Sequence, residues 1–210
     1  MVVYPGVTVH TKEEFIDRLE EIKQIGADGV HVDIMDGVYV PNSLLPVAEM
    51  GLLPVDTLFE AHLMVHNPHA YFEVCRNAGF KRIIVHMDGL ALESYSQALL
   101  VQDKVHALGM QFYLAFTQKS PPNLHEDLCK FDGVLILTIV PGFSGQPFIP
   151  EQVEEIHKVR LFCPDITIEV DGHVDSDTIE QIRNAGATSV VSTSYLSGDE
   201  INIRYKKLKG

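Results

Sequence analysis

His31 and Asp33 stand two residues apart in a β-branched run, and His62 and Asp171 occupy two further runs of the same kind. A spacing of two on a strand puts both side chains on one face. Two imidazoles and two carboxylates from three strands can converge on one divalent cation, with nitrogen and oxygen donors suited to zinc, iron(II), manganese or cobalt. The alternative is that buried histidines and aspartates simply hydrogen-bond one another, as polar groups in a core must. One such residue alone favours the second reading. Four of them, all at strand ends, favour the first.

For the four to meet, their strands must lie side by side with the ends together. Strand-like runs are read at residues 6–10, 29–33, 58–64, 82–86, 111–116, 133–137, 167–171 and 189–192. Amphipathic stretches over 11–24, 68–78, 92–108, 150–160, 176–185 and 199–208 fall between them. In the first, Thr11 and Glu14 form a capping box and Gly26 marks the stop. Three junctions nearly repeat, Ile25-Gly-Ala-Asp-Gly-Val, Asn77-Ala-Gly-Phe-Lys-Arg-Ile and Asn184-Ala-Gly-Ala-Thr-Ser-Val, each a glycine stop feeding a strand. Eight repeated units, with no GxGxxG turn after the first strand, predict an α/β chain folded as a (β/α)8 TIM barrel. A single domain over residues 1–210 is expected, with short loops, since such barrels usually need ~250 residues. In that fold chemistry gathers at the C-terminal ends of the strands, where the four residues lie.

Composition narrows the partners. The chain has 29 acidic and 16 basic residues, a formal charge of −13, and this argues against nucleic acid or an anionic membrane surface. A small anionic substrate is compatible, because backbone amides or a local metal can hold it. No run approaches the ~18 apolar residues of a membrane span, and the N-terminus carries no signal-like pattern. Cys75, Cys129 and Cys163 are odd in number and widely spaced, which predicts no disulfide framework and a cytoplasmic location.

Four segments in order resemble the ribulose-phosphate 3-epimerase family: His31-Val-Asp-Ile-Met-Asp-Gly-Val-Tyr-Val-Pro-Asn42, His62-Leu-Met-Val-His-Asn-Pro68, Val140-Pro-Gly-Phe-Ser-Gly-Gln-Pro-Phe-Ile-Pro150 and Glu169-Val-Asp-Gly-His-Val174. The resemblance spans roughly residues 12–198, and several long motifs in order are far more specific than one short pattern. It implies one divalent metal held by His31, Asp33, His62 and Asp171, with Asp33 and Asp171 also serving as the acid/base pair. It implies no organic cofactor, a small ketose phosphate as substrate and a homodimer or higher assembly. Met35 and Met64 coincide with family positions where thioethers line the site, although both also suit ordinary core filling. His86 is expected in the core or behind the ligands, and His10, His66 and His69 are not needed as ligands.

The segments expected to hold phosphate depart from the family. Gly142, Gly145 and Gly172 are kept. Ser144 and His173 stand where glycine is common, Ser192-Thr193-Ser194 replaces Ala-Gly-Ser, Thr117 and Val140 replace polar residues, and Leu137 replaces a methionine. The first strand lacks the usual substrate-facing serine. Ser144, His173, Thr193 and Ser194 can donate hydrogen bonds to phosphate or crowd the pocket. Epimerisation of D-ribulose 5-phosphate to D-xylulose 5-phosphate is the first expectation. The same chemistry on D-allulose 6-phosphate, and a catalytically silent binding paralogue, are the alternatives.

Overall fold

The computed structural model describes residues 1–90 and 92–210. Eight parallel strands, β1 (Val2–Val7), β2 (Val30–Met35), β3 (Phe59–Met64), β4 (Arg82–His86), β5 (Gln111–Phe116), β6 (Gly133–Leu137), β7 (Thr167–Asp171) and β8 (Ser189–Ser192), pair in sequence order, and β8 closes onto β1. Among the described residues, seven helices accompany them: α1 (Lys12–Lys23), α2 (Val47–Met50), α3 (Phe72–Ala78), α4 (Tyr95–Ala107), α5 (Glu151–Phe162), α6 (Ile179–Ala185) and α7 (Ile201–Lys209). Single 3-10 turns cover Pro68–Tyr71 and Glu126–Lys130. This is the (β/α)8 barrel expected from the alternating pattern.

Local chemistry explains the element ends. Thr11 accepts from the Glu14 amide while the Glu14 carboxylate accepts from the Thr11 amide, which closes the capping box that starts α1. Gly79 and Gly186 cap α3 and α6 in the left-handed region, at φ 109° and 107°, where a side chain would be strained. The main departure from expectation is β1, which begins four residues earlier than read. Pro5 and Gly6 weaken a strand in isolation, yet both lie within β1, where β8 pairs with Val2–Pro5 and β2 with Gly6 and Val7. Thr8, Val9 and His10 therefore belong to the loop that follows.

The apolar core between strands and helices includes Val32, Leu63, Val85, Leu114, Ile136, Ile168 and Val190, all 2% exposed or less. Each fully buried aliphatic or aromatic side chain contributes roughly 1.5–3 kcal/mol, so the strand positions are held firmly. Inside the barrel the two halves differ. Ile84, Tyr113, Ala115, Leu135 and Leu137 form a small apolar cluster. The opposite half is polar, with His31, Glu60, His62 and Glu169 fully buried. Interior positions alternate with core positions along every strand, and this alternation aims the site residues at the axis.

The cysteine expectation is corrected. Cys129 and Cys163 form a disulfide across 34 residues of sequence, and Cys75 is free and buried. The pair is invisible to spacing rules because it depends on the barrel. The turn before β6 and the C-cap of α5, which precedes β7, both return to the N-terminal ends of neighbouring strands.

Candidate functional site

β2 sends His31 and Asp33 inward, and its in-register pairing with β3 sets His62 beside Asp33. β7 brings Asp171 to the same point from across the barrel, because β8 and β1 separate it from β2. His31 Nε2 lies 3.3 Å from His62 Nδ1, 3.4 Å from Asp33 Oδ1 and 3.9 Å from Asp171 Oδ2. His62 Nδ1 lies 3.2 Å from Asp33 Oδ1 and 3.7 Å from Asp171 Oδ2. Ligands ~2.0–2.1 Å from a tetrahedral ion are about 3.3 Å apart, close to these separations. Two imidazole nitrogens and two carboxylate oxygens within mutual reach of one point form a donor set that fits a divalent ion.

The two aspartates differ in surroundings. Burial alone would raise the Asp33 carboxyl, but hydrogen bonds from His31 and His62 hold it well below the usual range. Its Oδ2 also accepts the Thr8 hydroxyl at 2.7 Å. Burial pushes Asp171 up to about 6, and the Asp33 charge adds to that against the attraction of His31 and His62. In the metal-free site one carboxylate is thus held ionised and the other is more readily protonated.

A further buried layer lies under these groups. Glu60 Oε1 is 2.8 Å from His31 Nδ1, and Arg82 donates to Glu60 and, at 3.5 Å, to Glu169. Burial, then the Glu60 charge, raises Glu169 to about 7. His86 stacks on His62 with their Nε2 atoms 2.9 Å apart, and burial followed by the His62 charge lowers it well below an ordinary histidine. Glu60 and Glu169 share the one guanidinium of this layer, and Asp33 and Asp171 add two more carboxylates above it beside the histidines. That excess of negative charge is a second reason the centre suits a cation.

Asp33, Asp171, Met35, Met64, Gly142, Ser144, Gly145, Gly172, His173, Thr193 and Ser194 line one cleft at the C-terminal mouth, above the buried His31 and His62. The sequence-predicted residues are all brought together. Two rim groups already have partners, however. His173, at φ 52°, has Nδ1 2.8 Å from the Gln146 carbonyl and Nε2 3.5 Å from Asp175. Thr193 packs over Gly6 so closely that a Cβ there would sit 1.9 Å from its Oγ1. Sequence reasoning missed Thr8, Glu60, Arg82 and Glu169. Glu60 and Glu169 precede His62 and Asp171 by two, so the strand period that found His31 with Asp33 also points to them.

The comparisons agree with this architecture. Residues 3–197 match the model of the ribulose-phosphate 3 epimerase family. The chain is 34% identical over 205 residues to a ribulose-phosphate 3-epimerase of Chlamydia muridarum, covering 91% of this chain and 86% of the relative. It is 32% identical over 185 residues to a cytoplasmic isoform from Oryza sativa subsp. japonica, covering 85% and 79%. Among solved structures, a 3-hexulose-6-phosphate synthase aligns with a TM-score of 0.68 at 13% identity, covering 100% of this chain and 98% of the other. A phosphoribosyl anthranilate isomerase from Thermus thermophilus aligns at 0.64 and 13% identity, with the same coverage, and shares the fold.

Proposed function

The chain belongs to the ribulose-phosphate 3-epimerase family, and we propose that it is a metal-dependent isomerase that inverts carbon 3 of a ketose phosphate, D-ribulose 5-phosphate first among them. The observation that carries the reading is the meeting of His31, Asp33, His62 and Asp171 at one point in the barrel mouth. These four would hold zinc, iron(II), manganese or cobalt. When bound, the ion supplies Lewis-acid stabilisation for the charge that develops on the substrate's C2 and C3 oxygens.

The chain's own residues account for the proton movements. Inversion needs one group to take the C3 proton and another to return one on the opposite face. Asp33 and Asp171 reach the axis from strands separated by β8 and β1, so substrate between them meets a carboxyl on each side. Asp33, kept ionised by its histidines and Thr8, starts in the form that can accept the proton, and its position on one side of the substrate, not its basicity, fits it to that role. Asp171, raised to about 6, is suited to donate, and the roles exchange in the reverse direction. Met35 and Met64 bound the reacting carbons with apolar surface. Gly142, Ser144, Gly145, Gly172 and Ser194 receive the phosphate at the cleft rim, and His173 and Thr193 join them only by giving up their present contacts.

The test compares metal content with turnover. Purified protein should carry about one divalent ion per chain, and kcat/KM should be higher for D-ribulose 5-phosphate than for D-allulose 6-phosphate. The reverse preference would reassign the substrate, and inertness towards both with a metal-free site would leave only ligand binding. A homo-oligomer is expected from the family resemblance, and a single-chain mass in sedimentation would contradict it. A cytoplasmic location is supported by the similarity to a cytoplasmic isoform in rice, and the Cys129–Cys163 disulfide counts against it. Among the described residues, no helix is long and apolar enough to cross a membrane.

A further inference from the structure

Below the four mouth-side groups, Glu60 is gripped from two directions. Its Oε1 faces His31 Nδ1 at 2.8 Å, and its Oε2 accepts from Arg82 Nη1, with Glu60 and His31 both fully buried. Arg82 cannot easily leave. Its Nε and Nη2 donate to Gln111 Oε1 at 3.2 and 3.0 Å, and its guanidinium carbon lies 4.1 Å from the centre of the Tyr113 ring. Glu169 is the other carboxylate near the same imidazole nitrogen, but at 3.7 Å its Oε1 is beyond hydrogen-bond reach and has no partner.

We infer that Glu60, locked by Arg82, is a positioning residue that fixes the tautomer and tilt of His31 so that Nε2 presents a lone pair at the mouth. The inference rests on the metal-centre reading. An imidazole has two nitrogens, and when Nδ1–H donates to a carboxylate, Nε2 is left free to ligate. Arg82 gives the arrangement its direction. Because its N–H occupies Glu60 Oε2, only Oε1 is left to accept from His31.

This makes a distinctive prediction for Glu60→Gln. The Gln carbonyl will turn to the Arg82 donor, leaving its amide N–H₂ against His31 Nδ1. A donor there demands an acceptor, so the imidazole proton moves to Nε2 and the ligating lone pair is lost. Outer partners of metal-bound histidines are worth roughly 10–100-fold in affinity, and a loss of that size is expected here. In Glu60→Gln/Arg82→Met the competing donor is gone. The Gln can then rotate to offer its carbonyl to His31 and its amide to Glu169, and most of the affinity returns.

The experiment titrates Zn²⁺ into metal-stripped protein against a chromogenic chelator, for the unmodified chain and both variants, with thermal unfolding of the metal-free forms to check folding. Against burial, three carboxylates, Asp33, Glu169 and Glu60, raise His31 well above an ordinary histidine. Nitrogen-15 shifts of His31 in the metal-free forms are therefore followed to a pH at which the imidazole is neutral, where they read the tautomer independently of turnover. The expected result is weak binding in the single variant, recovery in the double, and a His31 proton that moves from Nδ1 to Nε2 and back. A merely structural ion pair would make the double variant no better than the single one. Tight binding by the unmodified chain together with unchanged affinity in Glu60→Gln, or with no recovery in the double variant, overturns this inference alone. Failure of the unmodified chain to bind Zn²⁺ overturns the metal reading and this inference with it.

Discussion

Asp33 and Asp171 carry the same functional group in unlike surroundings. Asp33 receives hydrogen bonds from Thr8 and two histidines, whereas Asp171 is desolvated with only more distant partners. In the metal-free protein, ionising Asp171 costs stability. Its folded pKa is raised from 3.8 to about 6, so this penalty is absent below about pH 4 and complete above about pH 6. Asp171→Asn removes it. The metal-free variant should therefore be more stable than its parent at pH 8, by on the order of 3 kcal/mol, and equal to it near pH 4. Urea unfolding at the two pH values reads the difference, and a variant weaker at pH 8 would contradict the assignment. Its turnover should also fall by ~10²–10⁴-fold, because one proton carrier is lost. At this scale the sequence was informative about the inward pairs. It was silent on Thr8, whose role depends on where β1 ends and on a contact 25 residues away.

At the scale of elements, the strands that agree best with the sequence are β4 to β8, where β-branched and apolar runs are bounded by glycine stops or turns. β1 is harder to read, because Pro5 and Gly6 carry no strand signal and are held there by β8 and β2 respectively. Gly6 gains its meaning only from Thr193, whose hydroxyl fills the space a side chain would need. The two positions should therefore be coupled. Gly6→Ala overpacks the β1–β8 seam and should cost ~1–3 kcal/mol, while Thr193→Gly in the same chain should recover most of it. A double-mutant cycle by urea unfolding tests this, and additive losses would mean that the two side chains do not compete for one space. The 3-10 turn at Glu126–Lys130 was missed for a related reason: it replaces a longer crossover helix and has no helical period to detect.

Over the whole molecule, the charge of −13 and the barrel interior tell a consistent story. Acidic groups are tolerated in the core because they are grouped on one side with Arg82, while Ile84, Tyr113, Leu135 and Leu137 fill the other. The Cys129–Cys163 cross-link ties together segments at the N-terminal ends of the strands and leaves the mouth untouched. Fold and ligand cluster were legible because both follow from periodicity, two along strands and near 3.6 along helices. The disulfide, the Arg82 layer and the occupied rim were not, since each depends on chain segments that meet only once the sheet closes.

The central claim is that two aspartates around one cation exchange protons with C3 from opposite sides. It is tested most directly by following D-ribulose 5-phosphate in heavy water by proton NMR, with metal-loaded and metal-stripped protein. The account predicts that the loaded enzyme forms D-xylulose 5-phosphate carrying one solvent deuterium at C3, and that the stripped enzyme exchanges nothing until a divalent ion is restored. Inversion that keeps the original C3 hydrogen, or turnover indifferent to metal removal, would contradict it.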